Sequence, residues 1–201
     1  MIPTFREPLA RLIREQARPI DKYGHQPRLY ALAHLVGVDL QNDDDVLYAA
    51  AYLHDLGVFI GHRPEEPERL SAWDHVRYTL EKAPALLAQV GFPFAKVDAV
   101  LRAIEQHQPR DTPSTPEGII LRDADILEQL GAIGILRAVA KVGRDTRYST
   151  FTQAIAFLHR NLDELPSQIR LESTRRMAAP RIEFLRCFLA QVEQESMDCL
   201  Y

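Results

Sequence analysis

Apolar residues recur every three or four positions along most of this chain of 201 residues, and no stretch shows the strict alternation typical of a β-strand. We therefore predict helices over about 5–17, 27–36, 42–54, 94–106, 117–130, 149–161 and 167–196. Another helix is predicted to begin at Ser71 with an interruption at Pro84, and the last helix is predicted to bend at Pro180. Residues 59–70 have the composition of a loop. The prediction is an all-α single domain over residues 1–201, in which the helices of 149–196 pack on a core at about 20–130.

The composition excludes several classes of protein. Hydrophobic residues make up 46% of the chain and charged residues 26%, which are values typical of a globular protein rather than a disordered one. The net charge of -4 predicts no broad basic surface, so nucleic-acid binding is not expected. No apolar run reaches the ~18 residues that a membrane helix needs. Cys187 and Cys199 suggest neither a disulfide framework nor a zinc ribbon, and a reduced, cytoplasmic setting is predicted.

A histidine and an aspartate stand side by side at the end of an apolar predicted helix. The run of residues 46–53 is apolar at helical spacing, His54 follows Ala50 by four residues, and Gly57 is a stop signal just beyond. His54 is therefore expected to point inward. An inward imidazole next to the Asp55 carboxylate costs free energy unless something neutralises the pair, and a bound metal ion is one solution. The alternative is a helix terminus with satisfied side chains.

Other residues with metal-binding side chains gather near the ends of predicted helices, where several helices can converge on one point. In chain order, the set comprises His25, His54, Asp55, His75, His107, Asp123 and Asp125. It contains imidazoles and carboxylates without thiolates, which are the ligands expected for iron, manganese, zinc or similar divalent ions. The chain contains no Gly-rich phosphate loop, no Gly-x-Ser-x-Gly elbow and no His-Glu-x-x-His motif that would indicate another chemistry.

Three segments carry a resemblance to a known family. They are residues 23–28 (Tyr-Gly-His-Gln-Pro-Arg), 50–57 (Ala-Ala-Tyr-Leu-His-Asp-Leu-Gly) and 121–127 (Leu-Arg-Asp-Ala-Asp-Ile-Leu). In this order they resemble the HD-domain superfamily of metal-dependent phosphohydrolases, whose signature is a His, a His-Asp pair and a distal Asp on an all-α bundle. The resemblance covers about residues 20–195. Residues 131–134 and 181–188 are similar to a bacterial subgroup of HD hydrolases.

The resemblance implies a set of metal ligands. His25, His54, Asp55 and Asp125 would hold the first metal ion. His75 and His107 match two extra histidines of HD proteins that bind two metals, with Asp55 as the bridging ligand. For these two histidines an alternative is open, in which His75 caps a surface helix and His107 is a cation at a helix C-terminus.

The roles of Asp123 and Asp125, on the helix predicted over about 117–130, follow less directly from the resemblance. Periodicity places Asp123 nearer than Asp125 to the apolar face of this helix. Asp125 is nevertheless the match to the family's Ala-Asp-x-Leu element, and Asp123 is predicted to orient a ligand or to manage protons during catalysis. Arg28 lies one turn from His25 and is predicted either to bind a phosphate or to be a surface charge.

The leading hypothesis is a metal-dependent phosphohydrolase that acts on a nucleotide or a small phosphorylated metabolite. One or two divalent ions (iron, manganese, zinc, nickel or magnesium) would polarise phosphoryl oxygens and activate a water molecule, which Asp55 would position. Two alternatives are open: a mixed-valent di-iron oxygenase on the same scaffold, and a non-catalytic nucleotide-sensing module. Residues 61–70 and 108–116 are expected to form the rim of the pocket, while His34, His62 and His159 are predicted to lie outside the site. The oligomeric state is open.

Overall fold

A computed structural model describes residues 4–144, 148–197 and 199–201. The described residues form ten α-helices: α1 (Arg6–Gln16), α2 (His25–Val36), α3 (Asp44–Leu53), α4 (Pro67–Ser71), α5 (His75–Gln89), α6 (Val97–Glu105), α7 (Pro116–Gln129), α8 (Gly131–Val139), α9 (Phe151–Gln168) and α10 (Glu172–Ser196). Within these ranges there is no β-strand, and one isolated bridge joins Ile60 and Arg63. The predicted all-α class is confirmed.

The helices fall into two compact units. The first ends at Ala124, and in it α3 packs against α1, α2, α5 and α6. The second begins at Asp125, and in it α8, α9 and α10 pack against one another. Helix α7 begins in the first unit and ends in the second. That residues 149–196 pack on the core of a single domain stays a prediction.

Helix α3 is the centre of the first unit. Every residue from Val46 to Leu53 is buried, as expected for a helix that is apolar on all sides. The side chain of Asp43 caps its N-terminus by accepting hydrogen bonds from the backbone N–H groups of Asp45 (3.1 Å) and Val46 (3.4 Å). Because this helix is held on all sides, its C-terminal end places the next residue, His54, at a defined position in the core.

Charged side chains anchor the acidic start of α3. Arg6 donates to Asp44 at 2.7 Å and to Asp45 at 2.9 Å, and Nζ of Lys96 lies 2.9 Å from both Asp43 and Asp45. Burial raises the pKa of Asp45, but hydrogen bonds from Arg6 and Lys96 lower it more, so that its net pKa lies below the usual value. The network ties α1 and the start of α6 to α3.

Three predicted features of the helices are wrong. The helix predicted to begin at Ser71 begins at His75, because the side chain of Asp74 caps it by accepting from the backbone N–H of Arg77 at 2.9 Å. Helix α5 continues through Pro84 instead of stopping there. Pro84 is exposed, whereas Thr79, Ala83 and Leu87 of the same helix are buried, so the burial of that face offsets the one backbone hydrogen bond that proline removes. The predicted loop at 59–70 contains the start of the short helix α4, in which proline occupies the first turn and needs no N–H partner.

Helix α8 was not predicted because it follows α7 after a single residue, Leu130. Gly131 has φ of +75°, a conformation that glycine adopts readily, and it allows the chain to change direction between the two helices. Helix α10 is continuous from Glu172 to Ser196 and contains Pro180. None of the helices in the described ranges has both the length and the apolar composition to cross a membrane.

Candidate metal centre

Four histidines are placed by helix ends in the first unit. His25 is the first residue of α2 and His75 the first residue of α5, while His54 directly follows α3 and His107 comes two residues after α6. The side chains of His25, His54 and His107 are buried, and that of His75 is 20% exposed. Helix ends therefore bring four imidazoles into the same part of the core, as the chain pattern predicted.

Two of these imidazoles are held in one orientation by the helix that precedes them. Nδ1 of His54 lies 3.0 Å from the carbonyl oxygen of Ala51, and Nδ1 of His107 lies 2.5 Å from that of Ile104. Because a carbonyl oxygen only accepts, Nδ1 carries the proton in both rings and donates it. The last carbonyls of a helix lack intrahelical partners, so this bond satisfies the helix end as well. This proton position places the lone pair of each neutral ring on Nε2, the nitrogen that can bind a cation.

The ligand atoms converge. One atom each from His54, Asp55 and His107 forms a group in which all atoms lie within 4.8 Å of one another. Nε2 of His25 lies 3.1 Å from Nε2 of His54, and both of these nitrogens lie 3.6 Å from Oδ2 of Asp55. The other carboxylate oxygen of Asp55 lies 3.9 Å from Nε2 of His75. Asp55 therefore stands between the histidines with both of its oxygens turned towards imidazole nitrogens.

The electrostatics of Asp55 favour its anionic form. Burial raises the pKa of its carboxyl, but protonation of the surrounding imidazoles of His54, His25, His75 and His107 would lower it more, and the net pKa lies well below the usual range. A partly buried carboxylate surrounded by imidazole nitrogens is a donor set that suits a divalent cation such as iron, manganese or zinc. The residues present therefore fit the metal ion that the sequence predicted.

His75 is held against the His54-Asp55 turn by a contact that requires a glycine. A Cβ on Gly57 would lie 2.6 Å from the carbonyl oxygen of His75 and 2.9 Å from its Cα, so only glycine fits. The hydroxyl of Thr79, fully buried, donates to the His75 carbonyl at 2.8 Å and accepts from the backbone N–H of Gly57 at 3.2 Å. The indole N–H of Trp73 donates to the Gly57 carbonyl at 2.8 Å.

Sequence reasoning missed two polar residues at this site. The side-chain nitrogen of Gln108 lies 3.1 Å from Nε2 of His75. Arg122 is buried, and its guanidinium donates to the carbonyl oxygens of Gln108 (3.2 Å) and Pro109 (3.0 Å). The proximity of Gln108 to His107 in the chain was a signal for the first residue. No pattern predicted the second, because a charged residue next to Asp123 is expected on a surface.

The remaining predicted site residues lie on α7 and α2. Asp123 is fully buried, with one carboxylate oxygen 3.5 Å from the guanidinium of Arg122. Asp125 is partly exposed and accepts a hydrogen bond from Gln129 at 3.0 Å. Arg28 is exposed on α2, one turn after His25. The roles of these three residues as proton carrier, metal ligand and phosphate ligand stay predictions.

The other histidines make contacts of their own. His34 is exposed and lies 3.2 Å from Asp44, and His159 lies 3.3 Å from Glu193 in the second unit. Nδ1 of His62 lies 3.0 Å from the hydroxyl of Tyr78. Burial and the nearby charge of Lys82 lower the pKa of His62.

Comparison with known proteins agrees with this geometry. Residues 23–130 match the HD domain family. The uncharacterized protein YpgQ of Bacillus subtilis (strain 168) is 26% identical over 179 residues, which cover 85% of this chain and 82% of YpgQ. The crystal structure of a predicted HD superfamily hydrolase from an uncultured Thermotogales bacterium has a TM-score of 0.64 at 26% identity and covers 96% of this chain and 93% of its own.

A further crystal structure, that of Bacillus subtilis YpgQ in complex with ADP, has a TM-score of 0.65 at 25% identity and covers 94% of this chain and 97% of its own. The family match spans more than half of the chain and includes the four histidines and Asp55. The HD superfamily hydrolase fold and its His/Asp cluster are thus both present. The chain belongs to the HD domain family.

Proposed function

We propose that this protein is a metal-dependent phosphohydrolase whose substrate is a nucleotide or a small phosphorylated metabolite. The observation that carries the proposal is the convergence of His54, Asp55 and His107, whose ligand atoms lie within 4.8 Å of one another. The orientation of the rings adds support, because the Nδ1 bonds of His54 and His107 to backbone carbonyls place the ring lone pair on Nε2, the nitrogen that would bind a cation.

The proposed ligands divide into two groups. His25, His54, Asp55 and Asp125 would hold one ion, and His75 and His107 would hold a second that shares Asp55. The assignment of Asp125 rests on the resemblance of residues 121–127 to the family motif, and that of the others also on the distances around Asp55. The ions that suit this donor set are iron, manganese, zinc, nickel and magnesium.

A bound divalent ion would supply a Lewis acid for phosphoryl oxygens and lower the pKa of a water molecule. The chain's own residues set the conditions for that chemistry. Asp55 remains anionic because four imidazoles surround it, so it can orient a water molecule and accept a hydrogen bond from it. Asp123, buried beside Arg122, is the candidate for moving a proton, and exposed Arg28 is the candidate for binding a phosphate.

The proposal of a nucleotide substrate is supported by a relative. The YpgQ protein of Bacillus subtilis, 25% identical to this chain, was crystallised with ADP. A nucleoside diphosphate carries the phosphoryl oxygens that a divalent ion would polarise. ADP and related nucleotides are therefore the first substrates to test.

The test combines metal content with turnover. The purified protein would be assayed by mass spectrometry for metals and by phosphate release from ADP and other nucleotides, beside His54→Ala and His75→Ala. His54→Ala should lose both metal and activity, and His75→Ala should lose one ion of two. His159→Ala, a change of the same type in the second unit, should behave as the wild type.

Different outcomes would replace the proposal. Full activity in His54→Ala would refute it. Two iron ions per chain together with uptake of O₂ would assign the site to oxygenation instead of hydrolysis. Tight binding of nucleotides with no turnover of any of them would make the protein a sensing module.

A further inference from the structure

The side chain of Gln108 contacts Nε2 of His75, the nitrogen that would bind the second metal ion. Its Nε2 atom lies 3.1 Å from Nε2 of His75, which itself lies 3.9 Å from Asp55. An amide nitrogen only donates, so in this contact Nε2 of His75 is the acceptor. The amide hydrogen of Gln108 is therefore directed at the lone pair that a cation would use.

The main chain of Gln108 is held on both sides. Its backbone N–H donates to the carboxylate of Asp111 at 2.9 Å, and its carbonyl accepts from Arg122 at 3.2 Å. Arg122 also donates to the next carbonyl, that of Pro109, at 3.0 Å. These bonds satisfy backbone groups that have left the helical pattern of α6, and they give the Gln108 side chain a defined starting point.

Arg122 is a buried charged residue, and burying its charge costs free energy, so its contacts should have a structural role. Its side chain is only 2% exposed and Asp123, its ion-pair neighbour, is fully buried. A buried pair of this kind contributes little net stability compared with apolar residues of the same volume. The guanidinium is planar and rigid, and it donates hydrogen bonds to two consecutive carbonyl oxygens, those of Gln108 and Pro109. These bonds fix the segment that follows His107.

We propose that Gln108 contacts the phosphoryl group of the substrate and that Arg122 is the residue that positions it. This inference rests on the proposed function. A cation at Nε2 of His75 competes with the amide for the same lone pair, so the N–H of Gln108 becomes available to another acceptor close by. A phosphoryl oxygen is such an acceptor, and a neutral amide can donate to it without adding charge to the cluster.

The experiment measures binding of inorganic phosphate to the full chain loaded with Mn²⁺, by calorimetry. Gln108→Leu removes the donor at similar volume and should weaken phosphate binding about tenfold, as expected for one hydrogen bond to a charged group. The affinity for Mn²⁺ should not fall, since no ligand is removed and the amide that competes for the His75 lone pair is lost. Gln89→Leu, the same change at the exposed end of α5, is the matched control and should leave both affinities unchanged.

A second pair of variants tests the positioning role of Arg122. Arg122→Met should weaken phosphate binding to a similar extent as Gln108→Leu, and Arg122→Lys should restore part of it by donating to one of the two carbonyls. The histidine ring nitrogens of the metal-free protein provide an independent readout by NMR. The Nε2 signal of His75 should shift in Gln108→Leu and not in Gln89→Leu.

The outcomes separate this inference from the proposed function. If the wild-type protein binds Mn²⁺ and phosphate but Gln108→Leu binds phosphate equally well, the inference is wrong and the proposed function stands. If Gln108→Leu loses Mn²⁺ together with phosphate, Gln108 supports His75 instead of contacting substrate, and the inference is again overturned. If the wild-type protein binds no divalent ion, both fail.

Discussion

Replacement of Gly57 by alanine tests whether the His54-Asp55 turn must touch the start of α5. The added Cβ would lie 2.6 Å from the carbonyl oxygen of His75 and 2.9 Å from its Cα. Both atoms belong to the backbone of a helix and cannot turn aside as the end of a flexible side chain can. The turn and the first turn of α5 would therefore have to separate, which moves His75 away from Asp55.

The magnitude follows from opposing contributions to the free energy of unfolding. Gly57 does not have a positive φ, so alanine by itself would stabilise the protein by about 0.4–1 kcal/mol through the unfolded chain. Overpacking against backbone costs about 1–3 kcal/mol. Separation also weakens the hydrogen bonds of Gly57 with Thr79 (3.2 Å) and Trp73 (2.8 Å), which contribute about 1 kcal/mol each. The expected net destabilisation is about 2–3 kcal/mol.

The assay is urea unfolding followed by tryptophan fluorescence. Trp73 is the one tryptophan of the chain and donates to Gly57, so its signal reports on this contact. Gly24→Ala, next to His25, is the control, because its Cβ would meet only the movable end of the Arg28 side chain at 2.8 Å. Equal stability of Gly57→Ala and the wild-type protein would refute the reasoning, as would an equal loss in Gly24→Ala.

Two further predictions concern polar groups of the first unit. Thr79→Val keeps the volume of a fully buried side chain but leaves the N–H of Gly57 without its acceptor. We expect the free energy of unfolding in urea to fall by about 1–3 kcal/mol, and a fall below about 0.5 kcal/mol would contradict this role. Asp45→Asn should cost about 2 kcal/mol at pH 7, because Arg6 and Lys96 both donate to the carboxylate. The lowered pKa of Asp45 means that this stabilisation is present above the unfolded pKa of about 3.9 and is lost as pH falls through the folded pKa. The difference in free energy of unfolding between the wild type and Asp45→Asn, measured without metal, should therefore become smaller below about pH 4. A difference that stays constant with pH would show that the ion pairs of Asp45 do not stabilise the fold.

Most of the helices could be predicted from local patterns in the sequence. Helix α3 was predicted from its apolar spacing and acidic start, and the structure adds only that Asp43 is the cap. Pro84 was misjudged because proline lowers helix stability locally, whereas burial of Ala83 and Leu87 from the same helix acts over its whole length. Helix α8 has no separate start signal in the sequence, because it follows α7 after a single residue and Gly131 forms the bend between the two helices.

The sequence by itself determined which residue types gather and at which helix ends. Spacing along a helix is a local property, and it was enough to place His25, His54, His75 and His107 at helix starts and ends. It was also enough to predict that a carboxylate, Asp55, accompanies them. The choice of the all-α class followed from the same local periodicity.

Only the tertiary structure decided what each of these side chains faces. Which nitrogen of His54 carries its proton depends on the Ala51 carbonyl, and the approach of His75 depends on the absence of a side chain at Gly57. The contact of Gln108 with His75 joins residues 33 positions apart. Such contacts depend on how separate helices pack in three dimensions, and no local spacing in the chain encodes the direction in which a side chain meets its partner.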